Sequence, residues 1–79
     1  LDIDYIKIDG SLIKNILTNR ENEIVIKTII NFAQELGVKT IAEFVSSEAI
    51  FDKVKSLGID YAQGYYIGKP APITLTKNS

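Results

Sequence analysis

Apolar residues follow two rhythms along this chain, and the rhythms alternate. Tyr5-Ile6-Lys7-Ile8-Asp9-Gly10, Lys39-Thr40-Ile41-Ala42-Glu43 and Asp60-Tyr61-Ala62-Gln63-Gly64 are short, mostly apolar runs, each interrupted at its end by a polar residue. Runs of this length and content predict strands set inside a structure. Between the first and second, Val25, Ile26, Ile29, Ile30, Phe32, Ala33 and Leu36 recur at helical spacing, while Lys27, Thr28, Asn31, Gln34 and Glu35 face away. Between the second and third, Ile50, Phe51, Val54 and Leu57 make a second helical stripe.

Local signals sharpen these boundaries. Thr18-Asn19-Arg20-Glu21 has the form of a capping box opening the long helix. Gly37 suits the left-handed position that ends it, and Gly58 does the same for the second helix. Ser46 and Ser47 are N-cap candidates for that second helix, with Glu48 favoured in its first turn. Ser11 to Ile16 reads as a short helical or turn-like segment. Tyr65-Tyr66-Ile67 continues extended toward Pro70 and Pro72, which are expected to terminate regular structure. Thr74 to Ser79 reads as a frayed tail. Ile3-Asp4-Tyr5-Ile6-Lys7 echoes Ile59-Asp60-Tyr61-Ala62-Gln63, and both helices end in Leu-Gly before a strand, as a repeated βα unit would.

Parallel strands need cover on both faces, and two helices cannot supply it. A (β/α)8 barrel of the TIM type needs about 250 residues. The expected architecture is therefore α/β: about the last third of a modified (β/α)8 barrel, with three strands and two main helices. The strand pattern starts within three residues of Leu1 and the chain holds no Met, so it is expected to enter a longer polypeptide in mid-domain.

Composition narrows the chemistry. A formal net charge of −1, with nine scattered Lys and Arg residues, argues against a nucleic-acid polymer or a membrane surface as partner. The absence of Cys and His removes thiolate chemistry, the commonest general base and the commonest transition-metal ligand. Any metal must be a hard cation held by oxygen, of the Mg²⁺ or Mn²⁺ kind. No apolar stretch approaches the roughly 18 residues of a membrane span and no signal peptide opens the chain, which suits a cytoplasmic setting.

The polar strand ends carry the candidate chemistry, because ligands collect at the carboxyl ends of parallel strands. Lys7 and Asp9 lie two apart on a strand and share a face. They are either a structural ion pair or a cation and a carboxylate aimed at one phosphate–metal site. Glu43 ends an apolar strand and is either a metal ligand or a group that takes a proton from water. Gln63 can hydrogen-bond a phosphate, a metal-bound water or its neighbours.

Tyr5-Ile6-Lys7-Ile8-Asp9-Gly10, Ala42-Glu43-Phe44-Val45 and Tyr61-Ala62-Gln63-Gly64-Tyr65, in this order and spacing, resemble the C-terminal part of the EAL domain, the bacterial phosphodiesterase domain for cyclic di-GMP. The resemblance runs from Leu1 to about Pro72, including Gly68-Lys69-Pro70, and assigns residues 1–73 to that domain and 74–79 to a C-terminal tail. It implies metal-dependent hydrolysis of cyclic di-GMP to linear pGpG in bacterial signal transduction, at a site holding two Mg²⁺ or Mn²⁺ ions. On this resemblance Lys7 matches the catalytic lysine near water and phosphate, and Asp9 is its acidic partner and a metal-site residue. Glu43 matches the glutamate that binds metal or acts as general base. Gln63 matches the glutamine that contacts metal-bound water or phosphate.

The chain departs from the family pattern at two positions. Phe44 stands where the family usually has Gly, and Ser46 where it usually has a second Glu that steadies a loop coupled to metal binding and dimerisation; Glu48 lies nearby as a partial substitute. The Glu-Ala-Leu signature, further metal ligands and a pair of Asp residues are expected upstream of Leu1, so the fragment itself is expected to be inactive. Open sheet edges and apolar helix faces are expected to drive self-association, such as a homodimer, unless the rest of the barrel covers them. Upstream sensory or membrane domains are compatible with the pattern. The alternative reading is a degenerate EAL-type domain that binds cyclic di-GMP or a protein partner without hydrolysis.

Overall fold

A computed structural model describes residues 2–64 and 68–73. In chain order these form β1 (Tyr5–Ile8), α1 (Gly10–Ile13), α2 (Arg20–Leu36), β2 (Lys39–Ala42), α3 (Glu48–Leu57), β3 (Tyr61–Gly64) and β4 (Gly68–Pro72). The four strands make one sheet in the order β1-β2-β3-β4. The first three are parallel, as the crossover helices between them require, and β4 runs antiparallel to β3.

Alternation along the strands decides what the sheet covers. Ile8, Ala42 and Ala62 are fully buried and in register, joining Ile13, Ile26, Phe51 and Val54 in one core between the sheet and the helices. The opposite face carries Tyr5, Lys7, Lys39, Ile41, Tyr61 and Gln63 and has no helix over it among the described residues. The Tyr5 and Tyr61 rings meet edge to face on it, with centroids 5.6 Å apart. Three parallel strands with helices on one side only match the expected barrel segment.

Several local expectations are refined. The cap of α2 is Asn19, whose side chain accepts from the Asn22 N–H at 3.0 Å, rather than Thr18 in a capping box with Glu21. The Thr18 and Asn19 N–H groups both donate to the Asn15 carbonyl, at 3.2 and 2.9 Å, so the preceding turn runs directly into the cap. Gly37 and Gly58 end α2 and α3 with φ of 70° and 91°, the left-handed conformation that Gly adopts without a Cβ clash. Of the two serines offered as caps for α3, Ser47 serves, accepting from the Ile50 N–H at 3.2 Å.

Pro70 and Pro72 do not stop regular structure, because both lie within β4. Among the described residues that strand pairs only with β3, so a proline's missing N–H can face away from the ladder, as edge positions permit. The expectations for Tyr65–Ile67 and for the 74–79 tail fall outside the described residues.

Two polar devices hold the elements in place. Thr40, buried in β2, exchanges hydrogen bonds with Asp60 just before β3: the Thr40 N–H donates to the carboxylate at 3.0 Å, and the Asp60 N–H donates to the Thr40 hydroxyl at 3.2 Å. On the outside, Glu23 of α2 meets Lys27 at 3.2 Å and Lys53 of α3 at 2.9 Å. Lys53 first, then Lys27, holds the Glu23 carboxyl below the usual range. The apolar stripe of α2 is wider than the sheet covers. Ile26, Ile30 and Ala33 are buried, whereas Val25, Phe32 and Leu36 stand exposed on the flank turned away from α3.

Candidate active site at the strand ends

Register brings the polar strand ends together. Ile8 pairs with Ala42 and Ala42 with Ala62, so the next residue along each strand is Asp9, Glu43 and Gln63 respectively. The ladder continues past the assigned strands: the Glu43 N–H donates to the Ile8 carbonyl at 3.2 Å and the Val45 N–H to the Gln63 carbonyl at 2.9 Å. Lys7 lies two residues before Asp9 on the uncovered face. All four residues singled out from the sequence therefore gather at one end of one face. Lys7 and Asp9 are exposed, and Glu43 and Gln63 are half-buried.

Asp9 does not spend its charge on Lys7. It is the N-cap of α1, and its carboxylate accepts from the Ser11 N–H at 2.9 Å and from the Ser11 hydroxyl. These bonds, the hydroxyl's first, hold the Asp9 carboxyl below its ordinary value of 3.8. The sign follows from linkage: a lowered folded-state value stabilises the fold above the ordinary value, and that contribution is lost as pH falls through the lowered one. Asp9→Asn keeps a capping oxygen and removes the charge. The stability difference between wild type and Asp9→Asn is expected to be steady near neutrality and to shrink in acid, as thermal unfolding followed across that range would show. A difference that persists unchanged in acid would contradict this account.

The segment after Glu43 is tightly confined. Phe44 has φ of 65°, the one positive value at a non-glycine residue among those described, and stays 45% exposed. A bulky residue there costs of order 1–3 kcal/mol in backbone strain. The cause is the pairing on either side, since residues 43 and 45 donate to β1 and β3 and leave Phe44 to make the turn between them. Two glycines accommodate it. A Cβ at Gly10 would come within 2.8 Å of the Phe44 Cβ, and one at Gly64 within 2.5 Å of the Val45 backbone. A cavity of about 380 Å³ opens beside this turn, lined by Asp9, Gly10, Ser11, Lys14, Asn15 and Phe44.

Sequence reasoning did not single out Ser11, Lys14 or Asn15. The Asp9–Ser11 spacing, in which an Asp side chain can bond a backbone N–H two residues on, was the available signal for the first. Ser46 is half-buried in the loop before α3, and Glu48 sits exposed in the first turn of that helix. Asp9 and Glu43 supply carboxylate oxygens suited to a hard divalent cation, and no cluster of three or more Asp, Glu, His or Cys side chains occurs among the described residues.

Three parallel strands with helices on one face and polar residues gathered at their carboxyl ends are the arrangement of a βα-barrel segment. Comparison with known proteins makes this specific. The family model of the EAL domain matches residues 1–70, and the chain belongs to that family. It is 42% identical over 73 residues, 92% of its length, to the cyclic di-GMP phosphodiesterase PdeB of Shewanella oneidensis, of which it spans 8%. Among solved structures, an EAL domain protein of Listeria monocytogenes matches 99% of the chain at TM-score 0.81 and 36% identity, with the chain spanning 32% of it. A standalone EAL protein of Vibrio cholerae, solved bound to cyclic di-GMP, matches 89% of the chain at TM-score 0.79 and 31% identity, with the chain spanning 30% of it. The chain is thus similar to under a third of each solved relative, and no helix among its described residues is long and apolar enough to cross a membrane.

Proposed function

We propose that this chain forms one wall of the active site of a metal-dependent phosphodiesterase that hydrolyses cyclic di-GMP to linear pGpG. The observation that carries the proposal is the meeting of Lys7, Asp9, Glu43 and Gln63 at adjacent strand ends, on the face turned away from the helices. Lys7 brings a cation to the phosphate, where the negative charge grows as water adds to phosphorus. In this reading Glu43, half-buried at the end of β2, takes the proton from that water. Gln63 offers an amide that orients water or a phosphate oxygen. Asp9 is held ionised by Ser11 and offers its remaining lone pairs to the site.

Glu43 and Asp9 would also hold Mg²⁺ or Mn²⁺, which when bound supplies Lewis acidity toward the phosphate and an acidified water. The remaining ligands are assigned to parts of the polypeptide outside this chain. A cytoplasmic setting and self-association through the open sheet edge and the exposed flank of α2 belong to the same reading.

The test is incubation of the full polypeptide with cyclic di-GMP and Mg²⁺ or Mn²⁺, with the products separated by chromatography. Release of pGpG supports the proposal. Binding of cyclic di-GMP without release would favour a receptor instead, a reading that the strained Phe44 turn beside Glu43 and the Ser at position 46 keep in view.

A further inference from the structure

Phe44 combines features that folding alone does not reward. Its backbone is held in the left-handed region, where Gly would sit without strain, and its ring remains 45% exposed. Gly10 leaves open the space that its Cβ needs. The position therefore bears both the strain and the incomplete burial of a large apolar ring, so its ring is best explained by contact with something outside this fold.

The surroundings say what that is. Phe44 lines a cavity of about 380 Å³ together with Lys14, Asn15 and Ser11, a size within the ~300–1,000 Å³ span of small-molecule sites. A flat aromatic face takes a flat partner, and every nucleobase offers one. A lysine ammonium donates to the O6 and N7 acceptors that mark the edge of guanine, whereas adenine presents a donor in place of O6. Asp9 lines the cavity and Phe44 follows Glu43 directly in the chain, so a base held there lies beside the strand ends.

We propose that Phe44 is a stacking platform for a guanine base of the bound nucleotide, with Lys14 reading the base edge. The proposal rests on the cyclic di-GMP reading and adds to it a base subsite at the turn after β2. Phe44 acts through its π face, so the ring rather than the apolar bulk decides affinity.

The experiment measures cyclic di-GMP in the full polypeptide two ways: equilibrium binding with EDTA present, and KM for pGpG release with Mg²⁺. Phe44→Gly relieves the backbone and is expected to fold at least as well as wild type. It should nevertheless weaken binding about ten-fold, the loss that removing one base–aromatic stack brings. Phe44→Leu keeps the Cβ, the strain and the apolar bulk and should lose as much, while Phe44→Trp should retain wild-type affinity. KM should rise in the same order where turnover is seen. Unchanged affinity in Phe44→Gly, or full affinity in Phe44→Leu, would overturn the stacking proposal while leaving the cyclic di-GMP reading intact. If wild type neither binds the nucleotide nor releases pGpG, the underlying reading fails and the base subsite with it.

Discussion

Glu43→Gln in the full polypeptide is expected to lower the rate of pGpG release by about 10²–10⁴-fold, the range for loss of a positioned acid–base group. The change keeps the side chain's shape and size and removes its charge. It removes with that charge the ability to take a proton and much of the attraction for a divalent cation. Little else should suffer. Glu43 is half-buried, and its backbone N–H holds the strand pairing to Ile8 without help from the carboxylate. The thermal unfolding midpoint is therefore expected to stay close to wild type while turnover collapses. Turnover near the wild-type rate would remove Glu43 from the mechanism. A large fall in the midpoint would instead show that the carboxylate is structural.

The largest stability effect is expected at Gly64. A Cβ there would lie 2.5 Å from both the N and O atoms of Val45 and 2.8 Å from its carbonyl carbon. These are backbone atoms, fixed in part by the Val45 N–H bond to Gln63, so no side chain can swing aside. Gly64→Ala is expected to cost about 3 kcal/mol, the upper part of the overpacking range, and to lower the unfolding midpoint accordingly. It should also reach the chemistry. Relief of the clash must push the 43–45 segment away from β3, carrying Glu43 from Gln63. Activity measured well below the new midpoint should thus fall as well. Wild-type stability in Gly64→Ala would show that the two segments do not approach each other so closely.

The framework of the fold was legible because each element obeyed its own period. The apolar spacing of α2 and α3, closed by Gly37 and Gly58, left little room for another reading, and the three polar strand ends stood out against apolar runs. What escaped was decided by partners distant in sequence. Pro70 and Pro72 argue locally against a strand, yet an edge beside β3 tolerates them. Thr18 and Asn19 are both good caps, and the Asn22 N–H bonds the Asn19 side chain. Exposure on α2 could not be read from its stripe, because Val25 and Phe32 are as apolar as Ile26 and Ile30 and differ only in what lies opposite. At the site, the identities of Lys7, Asp9, Glu43 and Gln63 were visible, while the turn at Phe44 runs against the local preference of its own residue. Only the pairing of its neighbours to two flanking strands makes that conformation necessary.

The 2.8 Å approach between a Cβ placed at Gly10 and the Cβ of Phe44 ties the histories of two positions 34 residues apart, 44 − 10 in the numbering. Position 10 cannot take a side chain while position 44 carries one, whereas Gly10 leaves position 44 open to change. With Phe44 in place, every side chain at position 10 meets the same obstacle, so a single-site scan would score that glycine as indispensable. With Gly at position 44 the obstacle disappears, and alanine at position 10 becomes admissible. Drift through this part of the molecule is therefore ordered: the residue after Glu43 must become glycine before the glycine after Asp9 can leave.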